Sequence, residues 1–181
     1  MKKVKRTTFG EYAFLRDKGL IESPTEEQLA QLPKPERFCG RYMPDDLNGL
    51  TMGQLAEIIS CDKDDMVKTL CIITGATMDE IIKEPYERVV GLLNFATAEI
   101  RRIGDMFKQL DNGYTKEELE AGVEDLNFGI FGTIDWYARR MGITDHDAVM
   151  KIRWIRIWQC AMNDGMKLKY ERKYNEIITR K

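Results

Sequence analysis

Apolar residues recur at steps of three and four through most of the chain, the spacing that aligns them on one face of an α-helix. The longest run follows Pro85, where Val89, Leu92, Leu93, Ala96, Ile100, Ile103, Phe107 and Leu110 make one stripe and Glu99, Arg101, Arg102 and Lys108 a solvated face. This predicts a helix over about 85–110, ended by the turn signal Asp111-Asn112-Gly113. Helix starts are marked by a Ser or Thr followed three residues later by Glu or Gln, a pairing in which each side chain satisfies the other residue's free amide. Such boxes occur at Thr8/Glu11, Ser23/Glu26, Thr51/Gln54, Thr77/Glu80 and Thr115/Glu118. They predict short helices near 9–18, 24–32, 52–60 and 63–74 and a small one near 78–83, with Pro24 at a first helical position and Gly19, Gly75 and Gly142 as C-terminal caps.

Residues 115–141 read as helical with interruptions at Gly122, Gly129 and Gly132, and a break is expected near Asn127 to Gly132, because each glycine costs about 1 kcal/mol relative to alanine inside a helix. A last helical region runs from Thr144 nearly to the end, with Ile155, Trp158, Met162, Met166 and Leu168 on its apolar side and Gly165 as a kink. No strand and no internal repeat is read. The segment Pro33 to Asn48 is the one long loop, enough for a docking or hinge element. The expectation is an all-α fold: an irregular multi-helix bundle with one long central helix, about 85–110, and a helical C-terminal arm.

Charge divides this picture. Residues 148–181 hold nine Lys/Arg against three Asp/Glu, so with a total of -2 the remainder is strongly acidic. The expected organisation is an acidic helical body, 1–146, with a loop at 33–49, and a basic helical arm, 147–181, within the same domain. A length of 181 residues leaves room for one sizeable core. With 43% hydrophobic and 32% charged residues and a mean hydropathy of -0.43, the chain reads as folded rather than disordered or membrane-embedded. No run approaches the roughly 18 apolar residues of a membrane span. Met1-Lys2-Lys3-Val4-Lys5-Arg6 resembles the start of a signal peptide, but Glu11, Arg16 and Asp17 stand where its apolar stretch belongs. Cys39, Cys61, Cys71 and Cys160 form no C-x-x-C pair, so reduced thiols in the cytoplasm are expected.

Little in the chain is built for catalysis. A single histidine, His146, between Asp145 and Asp147, leaves no two-histidine zinc or di-iron set, and a solvated helix start explains it. Ser23 and Ser60 are the only serines and no G-x-S-x-G occurs. Asp62-Lys63-Asp64-Asp65 and Asp111-Asn112-Gly113 lack the spacing of calcium loops. No catalytic residue, cofactor or metal is therefore expected. Leu50 to Thr74 has the hydrophobic spacing of a helix-turn-helix, with Gln54-Leu55-Ala56-Glu57 followed by Met66-Val67, yet Asp62, Asp64 and Asp65 would face phosphates. DNA readout is thus not favoured.

The arm is the better candidate. Trp154, Trp158, Tyr170 and Tyr174 are the residue types that anchor protein contacts, and Lys167, Lys169, Arg172 and Lys173 would form a charged rim. Over 147–165 a core helix explains the aromatics equally well; over 166–181 the interaction reading is favoured.

Four segments add a resemblance: Leu50-Thr51-Met52-Gly53-Gln54-Leu55, Thr77-Met78-Asp79-Glu80-Ile81-Ile82-Lys83-Glu84-Pro85, Ala121-Gly122-Val123-Glu124-Asp125-Leu126 and Tyr170-Glu171-Arg172-Lys173-Tyr174-Asn175-Glu176-Ile177. Together they resemble small helical structural proteins of tailed bacteriophages: the head-tail connector ring proteins of crAss-like phages, or tail assembly chaperones. The resemblance spans about residues 50–178 and consists of helix-packing patterns, so it carries no catalytic residue. It implies a protein that works in many copies, with other copies of itself and other virion or tail proteins as partners, in the host cytoplasm during assembly and then in the virion. The alternatives are a transient chaperone and a nucleic-acid-binding regulator.

Overall fold

A computed structural model describes residues 7–21, 25–61, 65–110, 113–126 and 128–180. The threonine boxes do start helices. Thr8 Oγ1 accepts the Glu11 amide at 3.2 Å while Glu11 Oε2 accepts the Thr8 amide at 3.0 Å, opening α1 (Phe9–Asp17). The second helix, α2 (Glu26–Ala30), is capped by Thr25 and Gln28 instead of the expected Ser23 and Glu26, since Thr25 offers the same device two residues later. Ser23 and Pro24 lie outside the described residues.

Among those residues the fold is all-α in character, with ten α-helices and 67% of residues helical. It divides into two compact units, Met1–Leu47 with Glu57–Arg101 and Asn48–Ala56 with Arg102–Lys181. One boundary between the units falls inside the long helix, after Arg101.

In the first unit the loop after α2 holds a hairpin that the sequence reading missed: β1 (Arg37–Phe38) pairs antiparallel with β2 (Arg41–Tyr42). Two residues per strand are too few to show alternation. Its turn places Cys39 at φ 46° and Gly40 at φ 75°, the pair of left-handed residues that a two-residue hairpin turn requires. Glu84 fastens the turn, accepting the Cys39 amide at 2.8 Å and pairing with Arg88 at 2.7 Å, while Arg88 also donates to the Arg37 carbonyl. Phe38 is thereby driven into a core with Leu70, Ile81, Val89 and Leu92.

Those core residues come from α4 (Met66–Thr74), capped by Asp65, the short α5 (Met78–Ile81) and the first part of α6 (Tyr86–Lys108). The expected start of α4 at residue 63 lies outside the described residues. The first residues of α1 dock on the segment leading into α6, the Phe9 and Gly10 amides donating to the Glu84 and Ile82 carbonyls at 2.8 and 2.9 Å. The segment Leu29–Pro33 lies directly on α6, held by Asn94 Nδ2 donating to the Leu29 carbonyl at 2.7 Å.

In the second unit, Thr51 and Gln54 box the start of α3 (Met52–Ser60), whose first five residues belong here. Next come the end of α6, α7 (Lys116–Glu120), a 3-10 turn (Val123–Asp125), α8 (Gly129–Met141), α9 (His146–Met150) and α10 (Trp154–Thr179). The break expected near Asn127 to Gly132 begins earlier, after Glu120, and ends where α8 starts at Gly129. Gly122, at φ 79°, follows α7, and Gly129 and Gly132 fall in the first turn of α8. The helical region expected from Thr144 consists of two helices, α9 and α10. Leu50–Met52 runs antiparallel to Ile152–Trp154, the Met52 amide donating to the Ile152 carbonyl at 2.7 Å and the Trp154 amide to the Leu50 carbonyl at 3.1 Å, which takes the backbone out of helix there. Gly165 leaves α10 unbroken. The buried side chains of this unit include Met52, Leu55, Ile103, Tyr137, Val149, Trp154 and Ile157.

Candidate functional site

Among the described residues no group of His, Cys, Asp and Glu could hold a metal ion. His146 Nε2 lies 3.4 Å from Asp135 Oδ1 and its ring meets Phe131 edge-on at 5.2 Å, a surface arrangement at the start of α9. No helix of the described residues is long and apolar enough to cross a membrane. All four cysteines are free thiols. Burial, reinforced by Glu84 and Glu80, pushes the Cys39 thiol up to about 11. At pH 8 only about 0.1% of it is then thiolate, the form that alkylates. Peptide-mapped iodoacetamide labelling of Cys39 in the folded protein should accelerate only as pH climbs towards 11, whereas unfolding in urea at pH 8 should speed it by about 100-fold as the thiol returns to its ordinary range. Equal rates in both states would refute the buried, acid-flanked setting.

The aromatics of the arm part ways. Trp154 is fully buried at the base of α10, its ring 5.9 Å from that of Phe107 with the Arg102 guanidinium 6.0 Å from its centre, so it is a core side chain of the second unit and presents no surface. Trp158 is half-buried and donates its Nε1 hydrogen to the Met106 carbonyl at 2.8 Å. From Met166 to Arg180 every residue is exposed except Arg172, which is half-buried. Arg172 bridges to Glu118 at 2.9 Å and to the Gly113 carbonyl at 3.1 Å, so this member of the expected rim is already engaged within its own chain. Lys167 lies 3.7 Å from Glu171, and Lys169 and Lys173 extend into solvent.

An α-helix turns about 100° per residue, which places Met166, Tyr170, Tyr174 and Ile177 within an arc of about 80° and Arg172 about 160° from its centre. The arm therefore holds its own unit with one side and presents an apolar stripe on the other. Tyr170 is 68% and Tyr174 52% exposed, with their rings stacked 6.1 Å apart. Ile177 and Ile178, which complete the apolar end, were missed by the sequence reading although they share the same helical spacing.

A second surface was missed altogether. Tyr114, Leu119, Leu126, Phe128, Ile130 and Phe131 are all exposed within eighteen residues, Phe128 at 69% and Phe131 at 58%. Phe128, Phe131, Trp136, Asp135, Arg139 and Arg140 line a cleft of about 720 Å³ beside the first turns of α8. Gly132 makes room for it: a Cβ there would lie 2.6 Å from Phe128 Cβ. The cations in this cleft are neutralised in place, Arg139 by Asp135 at 2.7 Å and Arg140 by Asp164 at 2.9 Å. The sequence signal was present in the aromatics flanking Gly129 and Gly132, but those glycines had been read only as a helix break.

Comparison with protein-family models, with curated proteins and with solved structures returns no match to this chain.

Proposed function

We propose that this chain is a non-catalytic structural or assembly protein that acts in multiple copies, as a ring component of the head-tail connector or tail of a tailed phage. The observation that carries the assembly reading is the exposed stripe Met166, Tyr170, Tyr174 and Ile177, four large side chains on one side of a helix whose opposite side is already fastened by Arg172. Contiguous apolar surface of this kind costs solubility unless another chain covers it. Tyrosine suits such a role because it buries a large area at small entropic cost. The phage setting comes from the sequence resemblance, which covers the same arm. Partners are accordingly other copies and other virion or tail proteins, met first in the host cytoplasm.

Mass photometry of the full chain, alone and mixed with the products of neighbouring genes, should give a closed multi-copy species. A strictly monomeric protein in every mixture would refute the reading. One or two copies on a long helical client would replace the ring with a transient assembly chaperone. A salt-dependent gel shift abolished by neutralising Lys167, Lys169 and Lys173 would replace both with a nucleic-acid-binding role.

A further inference from the structure

We infer that the acidic, apolar stretch Tyr114–Phe131 of one copy, with the cleft beside it, receives the basic, apolar stripe of α10 from the next copy. The inference rests on the multi-copy reading and adds both faces of the contact. Two patches of the second unit are uncovered, and their charges are opposite and equal in size. Residues 114–131 carry one lysine against five acids and residues 166–181 six Lys/Arg against two acids; with Glu118 and Arg172 bridged to each other within the chain, net charges of -3 and +3 remain. Each patch couples that charge to large exposed side chains, Leu119, Leu126, Phe128 and Phe131 on one and Met166, Tyr170, Tyr174 and Ile177 on the other.

The pairing chemistry already operates once within the chain. Arg172 reaches Glu118 of the acidic stretch at 2.9 and 3.3 Å. That contact uses the side of α10 opposite the stripe, so a copy cannot cover its own stripe with its own acidic stretch while the bridge stands. A second copy satisfies both patches at once. The 720 Å³ cleft at Phe128 and Phe131 lies in the size range of small-molecule cavities and so takes the ring of Tyr170 or Tyr174. Because the two patches differ, the contact is heterologous, and successive copies close into a ring or extend as a filament according to the rotation between them. Long-range attraction between the -3 and +3 left after the Arg172–Glu118 bridge also predicts assembly that weakens with added salt.

Two variants of the full chain test this: Tyr170→Glu with Tyr174→Glu, which spoils the stripe, and Phe131→Lys, which puts the arm's own sign of charge in the cleft. All three positions are more than half exposed, and unchanged circular dichroism and melting of each variant would establish that it folds. In analytical ultracentrifugation each variant alone should be monomeric. An equimolar mixture should give a dimer and nothing larger, because only one intact stripe and one intact cleft remain to meet. Variants that assemble as the unmodified chain does would overturn the inference and leave the multi-copy reading standing. A mixture that stays monomeric would also overturn it. An unmodified chain that is itself monomeric would overturn this contact, and one that stays monomeric in every mixture would remove the multi-copy reading with it.

Discussion

Gly91→Ala is expected to destabilise the first unit by about 3 kcal/mol, the upper end of the usual cost of overpacking a closed site. A Cβ on Gly91 would overlap the Pro33 carbonyl oxygen and lie 2.9 Å from its carbon. The obstacle is backbone, which cannot rotate away as a side chain can. Nor can Leu29–Pro33 lift freely, since Asn94, one turn along the same face of α6, holds the Leu29 carbonyl at 2.7 Å and the Leu32 carbonyl at 3.4 Å. Gly104, in the same helix, is the control. It is exposed and a Cβ there meets nothing within 4 Å. Gly104→Ala should therefore stabilise the protein by about 0.5–1 kcal/mol, the ordinary helix-propensity gain. Urea unfolding of the two variants beside the parent decides the matter: if Gly91→Ala matches Gly104→Ala, the close approach of Pro33 to α6 does not exist in solution.

That contrast shows what could and could not be read from residues alone. Both glycines sit in a run of apolar periodicity, and nothing in the run separates them. The helices themselves were legible wherever local chemistry decides them. Thr8, Thr51, Thr77 and Thr115 each cap the helix that their box announced, because a box depends only on residues three apart. The hairpin at Arg37–Tyr42 was not legible, since it is made by Glu84 and Arg88, more than forty residues away, fastening its turn. The break at Lys151–Arg153 was hidden for the same reason: its hydrogen bonds go to Leu50–Met52.

The candidate surface was half legible. Tyr170, Tyr174 and the surrounding cations could be singled out because a polar, basic helix with regularly spaced aromatics is visible in one dimension. Arg172 looked identical to Lys169 and Lys173 there, and only its reach to Glu118 and Gly113 sets it apart. The receiving cleft could not be assembled from spacing, because Phe128 and Phe131 are exposed by the way α8 begins, and burial is not a property of periodicity. Trp154 and Trp158 lie one turn apart and were equivalent candidates. The three-dimensional fold separates them.

Trp154→Ala should cost about 3–5 kcal/mol, as truncation of a fully buried aromatic does when its neighbours cannot close the gap. The indole fills the junction between the start of α10 and the end of α6, against Phe107 at 5.9 Å and below the Arg102 guanidinium at 6.0 Å, so its removal leaves a void and strips a cation of its aromatic face. Domains of this size have a total stability of only about 5–15 kcal/mol, so the variant should melt well below its parent. Trp158→Phe should cost far less, about 1 kcal/mol, because a six-membered ring is retained at a half-buried position and the loss is confined to the pyrrole edge of the indole with its bond from Nε1 to the Met106 carbonyl at 2.8 Å. Thermal and urea unfolding test the first residue, while sedimentation at a temperature where both variants remain folded tests for any part in assembly. If Trp154 were a contact anchor, its truncation would leave the melting curve unchanged and abolish association. A core role requires the reverse order: the unfolding transition moves first, and association falls only with the fraction of chains whose α10 is still seated on its own unit.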